Sequence, residues 1–155
     1  MKSKYISEHI TYNESIKSST AIRKGIENIP TEYELQNMGL VAEKVFEPLR
    51  EWVKGPIKIT SFFRCEELNK TIGGSSKSQH CEGRAIDVDD IYNYKSNAEM
   101  FHFIKNNLNF DQLIWEYGNS HNPDWVHLSF ISETQNRQRV LQAFRVNNKT
   151  EYKII

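Results

Sequence analysis

The chain has 155 residues, of which 38% are hydrophobic and 12% aromatic, enough to build a globular core and too apolar for a chain that stays disordered. Its 20 Lys and Arg balance its 20 Asp and Glu, so no bulk positive field draws in nucleic acid or an anionic polymer, and function rests on a local site. No apolar run approaches the ~18–20 residues that a membrane-spanning helix needs, so no membrane span is expected. Met1 to His9 carries basic residues but no apolar stretch of the secretory kind, which reads as a chain cytoplasmic as synthesised, whose export would need another route. Cys65 and Cys81 have no C-x-x-C spacing; they read as free thiols, with one bridge left open.

The balanced charge is unevenly spread. Residues 1–55 hold 8 basic and 8 acidic side chains, residues 56–135 hold 7 and 11, and residues 136–155 hold 5 and 1. An acidic middle suits a cation, and a basic tail offers an anionic partner a surface.

No repeat, low-complexity tract or Pro/Gly/Ser linker divides the chain, which reads as a single domain over 1–155 with its core at about 30–146. Thr31-x-x-Glu34 is a capping box. From there Leu35, Met38, Ala42, Val45, Leu49 and Trp52 recur at steps of three and four, which predicts an amphipathic helix that Pro48 kinks or ends. After Gly55-Pro56, Ile57 to Ser61 alternates as a half-buried strand does. Ala85–Val88, Gln112–Trp115 and Trp125–Phe130 read as further strands. A second capping box, Ser96-x-x-Glu99, opens a helix to about Leu108 with Met100, Phe103, Ile104 and Leu108 turned inward. Arg139 to Val146 reads as strand or short helix, with strand favoured. Helices and strands without regular β-α-β alternation predict an α+β fold with a mainly antiparallel sheet and flanking helices.

Two segments carry chemistry. The Gly- and Ser-rich stretch Gly73 to Ser78 delivers His80, Gly83 permits a tight turn, and Ala85 leads into a strand on which Asp87 points away from Ile86 and Val88. In Trp125–Phe130, Val126, Leu128 and Phe130 share the core face, leaving His127 on the other. His80, Asp87 and His127 then form a set of two imidazoles and one carboxylate, the composition of a catalytic zinc site with three protein ligands and a fourth position for water. Asp124, three residues before His127, is the expected catalytic base. Arg64, just beyond the strand ending at Ser61, is the expected cation beside a developing oxyanion. Of the remaining candidates, His121 reads as a solvated loop residue, His102 as structural, Asp89 and Asp90 as turn or capping residues, and Glu116 as a strand end, with a place in the pocket lining left open.

The pattern Ser78-x-His80-x-x-Gly83-x-Ala85-x-Asp87, followed by Asp124-Trp125-Val126-His127, resembles the zinc DD-peptidase family of D-alanyl-D-alanine carboxypeptidases, D-Ala-D-Ala dipeptidases and phage L-alanyl-D-glutamate endolysins. Ile59 to Arg64, Leu68-Asn69, Gly73 to Ser75 and Phe110 to Glu116 look like the segments that lead to its first and second metal ligands. The resemblance, from about Pro30 to Phe144, implies the hedgehog/DD-peptidase fold, one Zn²⁺ held by His80, Asp87 and His127, and Asp124 as base. It also implies Arg64 on the oxyanion and substrate, Ser78 in substrate binding, and a peptidoglycan stem peptide or muropeptide as partner. Phe62 stands where a glycine is common and Cys65 where a serine is common, departures that bear on pocket shape rather than on the ligand set. The implied activity is carboxypeptidase or endopeptidase cleavage of a bond involving a D-amino acid, with a phage-type release route open. A cytosolic dipeptidase or a non-catalytic wall-binding or virion protein is the alternative, and a monomer is expected.

Overall fold

The computed structural model describes residues 4–155. The N-terminal part forms strands β1 (Tyr5–Ser7) and β2 (Ile10–Thr11) and helices α1 (Tyr12–Ile16) and α2 (Ser19–Lys24). Thr11 caps α1 in a box with Glu14, and Ile10 is fully buried in the main core cluster, so the core takes in residues upstream of the Thr31 capping box.

Thr31 accepts the Glu34 amide at the start of α3 (Glu32–Val41), as its capping motif predicts. The helix then widens into a π-helical turn at Ala42–Phe46 and continues as α4 (Glu47–Val53). The Glu47 amide reaches back five residues to the Ala42 carbonyl, and Pro48 follows at once. Proline has no amide to donate and its ring crowds the carbonyl four residues earlier; one wider turn accommodates both without breaking the rod. The extra residue also lets adjacent pairs, Val41 with Ala42 and Val45 with Phe46, face the core together. Trp52, at the end of the apolar stripe, stacks on Phe103 with ring centroids 4.4 Å apart.

Strands β3 (Lys58–Ser61), β4 (Ala85–Asp89), β5 (Gln112–Glu116), β6 (Trp125–Ser129), β7 (Arg139–Val146) and β8 (Lys149–Ile154) build one sheet in the order β3-β4-β6-β5-β7-β8. Every pairing is antiparallel except β5 with β7. Helices α5 (Glu66–Thr71) and α6 (Asn97–Asn107) complete the α+β fold, and Ser96 caps α6 in the predicted box with Glu99. The sheet alternates cleanly: Ile86, Val88, Leu113, Trp115, Val126 and Leu128 enter the core shared with α3, α4 and α6, while Asp87, Ile114, Glu116 and His127 line a cleft on the other side. Arg139–Val146 is a strand. It turns at Asn147-Asn148, both in the left-handed region, and returns as β8 with Val146 opposite Lys149, the geometry of a two-residue hairpin turn. No helix of the described residues is long and apolar enough to cross a membrane.

Candidate metal centre and its cleft

Each proposed ligand is held by a different local device. Ser78 caps a short 3-10 turn at Gln79–Glu82, its Oγ accepting the His80 amide at 3.2 Å. Gly83 closes that turn at φ 73°, where a Cβ would lie 2.5 Å from the Glu34 carbonyl of α3, so both the left-handed backbone and the close helix require glycine. The buried His80 ring faces Phe62, whose carbonyl accepts from Nδ1 at 2.7 Å. A carbonyl only accepts, so Nδ1 carries the proton and Nε2 presents a lone pair. The segment supplying that carbonyl is pinned by Asn28, which donates to the Ile16 and Phe63 carbonyls and accepts the Cys65 amide. The Arg64 amide in turn donates to the His80 carbonyl at 3.3 Å.

Asp87 on β4 lies directly opposite His127 on β6, with His127 Nδ1 3.0 Å from Asp87 Oδ1. His80 Nε2 is 3.3 Å from Asp87 Oδ2, yet it is buried and makes no hydrogen bond. The two imidazoles meet edge to face at 5.2 Å, and the three donor atoms lie within 4.8 Å of one another. Burial pushes the His80 imidazole down, toward the neutral form. Burial also pushes the Asp87 carboxyl up, but the two histidines outweigh it and hold it well below the usual carboxylate range. An unpartnered imidazole nitrogen, a second imidazole and an ionised carboxylate are a donor set that fits a divalent metal such as zinc.

The cleft in front of this set has a volume of about 950 Å³. Arg64 lines it, its side chain without an ion pair among the described residues, and its Nε is buried without a hydrogen bond. Ser78 also lines it, but with its hydroxyl oxygen engaged at the His80 amide. Asp124 is exposed in the bend just ahead of β6 and lines a groove that shares Tyr117, Trp125 and Arg145 with the cleft; its amide donates to the Glu116 carbonyl.

Two residues outside the expected set emerge. Glu116 lines the cleft and is buried, and burial pushes its carboxyl up to about 7 against the opposing pull of His127 and Arg64. Its position at the end of an alternating strand, in the segment Phe110 to Glu116 that resembles the family's approach to the second ligand, was the sequence signal. Asp111 is fully buried beneath the loop that carries His80: it accepts from Gln79 at 2.8 Å and from the Arg137 guanidinium through both carboxylate oxygens. The other histidines stand apart. His121 is exposed, His102 packs edge-on against Phe101, and His9 pairs with Glu47. Asp89 and Asp90 cap and brace the start of α6 through Asn97. Cys65 and Cys81 are both free.

An α+β sheet that gathers two imidazoles and a carboxylate at an open cleft has the make-up of a metal-dependent hydrolase. The sequence model of the peptidase M15 family matches residues 8–129, and the chain belongs to that family. The match ends with β6, so the β7–β8 hairpin lies beyond it. Membership makes the protein a metallopeptidase of a kind that acts on peptidoglycan. No curated protein is found to match the chain.

Proposed function

We propose that the protein is a zinc-dependent peptidoglycan peptidase that hydrolyses a stem-peptide bond involving a D-amino acid, as a carboxypeptidase or an endolysin-type endopeptidase. The observation that carries this reading is the convergence of His80, Asp87 and His127 at one end of the cleft, with the His80 Nε2 lone pair left without a partner. A zinc ion held by these three residues would supply Lewis acidity toward a carbonyl and toward water.

The chain's own residues supply the rest. The Arg64 guanidinium, unpaired beside the metal set, binds the scissile carbonyl as its oxygen gains charge, or a substrate carboxylate. Ser78 acts through His80: its cap fixes the ring, and its hydroxyl, on a residue that lines the cleft, keeps a proton to donate to substrate. The cleft runs past Arg64 to Trp125, Tyr117, Arg139, Arg145 and Tyr152, a volume more suited to a stem peptide carried on a polymer than to a free dipeptide, which supports the wall substrate over the dipeptidase alternative.

The test combines metal content with products. One zinc per chain is expected, lost in His127→Ala, together with cleavage of defined muropeptides whose products, read by mass spectrometry, identify the bond. Zinc-loaded protein that leaves muropeptides of several stem chemistries intact would favour a non-catalytic wall-binding role.

A further inference from the structure

We infer that the β7–β8 hairpin is a substrate-recognition arm that selects acidic peptides, with Arg139 and Arg145 binding peptide carboxylates on opposite sides of the metal set. This rests on the peptidase reading above and adds to it the charge of the peptide that is bound.

The hairpin sorts its charges by face. Ala143 pairs with Tyr152 and Arg145 with Thr150, and directly opposed residues share a side of the sheet. Alternation along β7 adds Arg139 and Leu141 to that side, the one that lines the cleft. Lys149, Glu151 and Lys153 lie on the other face, opposite Val146, Phe144 and Gln142. The one acidic side chain of the hairpin is therefore turned away, and the cleft face presents two arginines and two hydroxyls.

Register locates these arginines relative to the proposed ligands. Asp87 lies opposite His127, His127 opposite Ile114 and Ile114 opposite Leu141, so one row across the sheet joins the metal set to Leu141. Arg139 stands two residues to one side of that row and Arg145 four to the other, roughly 7 and 13 Å along the strand. A peptide lying through the cleft with its scissile bond at the metal set thus meets a cation on each side. Arg145 is already positioned: its guanidinium lies over the Tyr117 ring at 4.9 Å, and the Tyr117 hydroxyl shares a 2.6 Å hydrogen bond with Thr150. Stacking holds a guanidinium by its face and leaves its N–H edge free for a carboxylate.

The fold supplies no carboxylate to either arginine. Neither forms an ion pair among the described residues, whereas Arg137, which braces the structure, is held by both oxygens of Asp111. Arg64 and Lys77 also line the cleft without an ion pair, against Asp87 and Glu116 alone, and Asp87 is committed to the two histidines. Cations gathered in a cleft without counter-ions repel one another and draw in an anion. The chain is neutral as a whole, so this attraction is local to the cleft, and the anions it suits are carboxylates of the peptide being cut.

The experiment uses two defined muropeptides of one sequence, one with its non-terminal carboxylates free and one with them converted to carboxamides. Full-length, zinc-loaded wild type is compared with Arg139→Gln/Arg145→Gln and with Lys149→Gln/Lys153→Gln. Initial rates give kcat and KM, stopped-flow anisotropy of the fluorescein-labelled peptides gives binding, and zinc content and thermal melting check integrity. Each arginine is expected to contribute about three- to tenfold through charge-assisted hydrogen bonds. Wild type should therefore favour the acidic peptide by about 10- to 100-fold in kcat/KM, through KM, and the arginine variant by no more than about threefold. The lysine variant removes the same charge from the outer face and should keep the wild-type preference. A preference retained by the arginine variant overturns the inference, as does one lost equally in the lysine variant, which would reduce the hairpin to a general positive field. An arginine variant that still prefers the acidic peptide but no longer binds whole cell walls would assign the arm to an anionic wall polymer and overturn it too. If the double arginine variant fails to fold, Arg139→Gln and Arg145→Gln decide singly by the same criterion. A wild type that binds the acidic peptide through these arginines yet cuts neither peptide sinks the peptidase reading alone, whereas one that cuts both equally well sinks this inference alone.

Discussion

His80 receives its orientation from two neighbours that are not ligands. The Phe62 carbonyl sets its tautomer and the Ser78 hydroxyl accepts its amide. Outer partners of this kind are worth about 10–100-fold in metal affinity, and a lost cap costs roughly 1 kcal/mol. Ser78→Ala should therefore weaken zinc binding by about tenfold, measured by chelator competition, with a small drop in melting temperature. Unchanged zinc affinity would mean that the Phe62 carbonyl alone positions the ring. Phe62, which departs from the glycine common in relatives of this pattern, buries its ring in the core while its backbone serves the site, so a change of side chain there leaves the essential acceptor in place.

Among the elements, α5 shows how a departure in sequence is absorbed. Cys65 sits at its N-cap, and its sulfur accepts the Leu68 amide at 3.5 Å. Thiols are weak acceptors, and a hydroxyl is a preferred cap. Cys65→Ser should stabilise the protein by about 0.5–1 kcal/mol in denaturant unfolding, whereas a loss of stability would show that the sulfur's packing against the core outweighs its capping. The π turn ahead of Pro48 is a second adaptation. The apolar period and the proline were both legible in sequence. The widened turn was not, because it depends on how the rod must meet the sheet on either side of the proline.

Over the whole molecule, Asp111 links the His80 loop, the start of β5 and the approach to β7 through Gln79 and Arg137. Burial alone pushes its carboxyl up, but the hydrogen bonds from Arg137 and Gln79 prevail and hold it below the usual range. A carboxyl depressed in the folded state stabilises the fold at pH above its unfolded value of about 3.9, and that contribution is lost as pH falls through the folded value. Stability should therefore decline below about pH 4. Asp111→Asn should be less stable than wild type at pH 7, with the gap closing toward pH 3; a constant gap across that range in urea unfolding would assign the effect to packing instead.

The identities and spacing of His80, Asp87 and His127, the two capping boxes and the alternation that separates Asp87 and His127 from their apolar neighbours are local properties. The sequence alone determined them, because helix caps and strand faces follow from residues a few positions apart. Which side chains share the cleft with those ligands was decided by the tertiary structure. Glu116, 11 positions before His127, is set diagonal to it on the cleft face by the register of β5 against β6. Register and burial depend on long-range packing, which no run of neighbouring residues encodes, so the place of Glu116 in the cleft wall was not legible in the sequence.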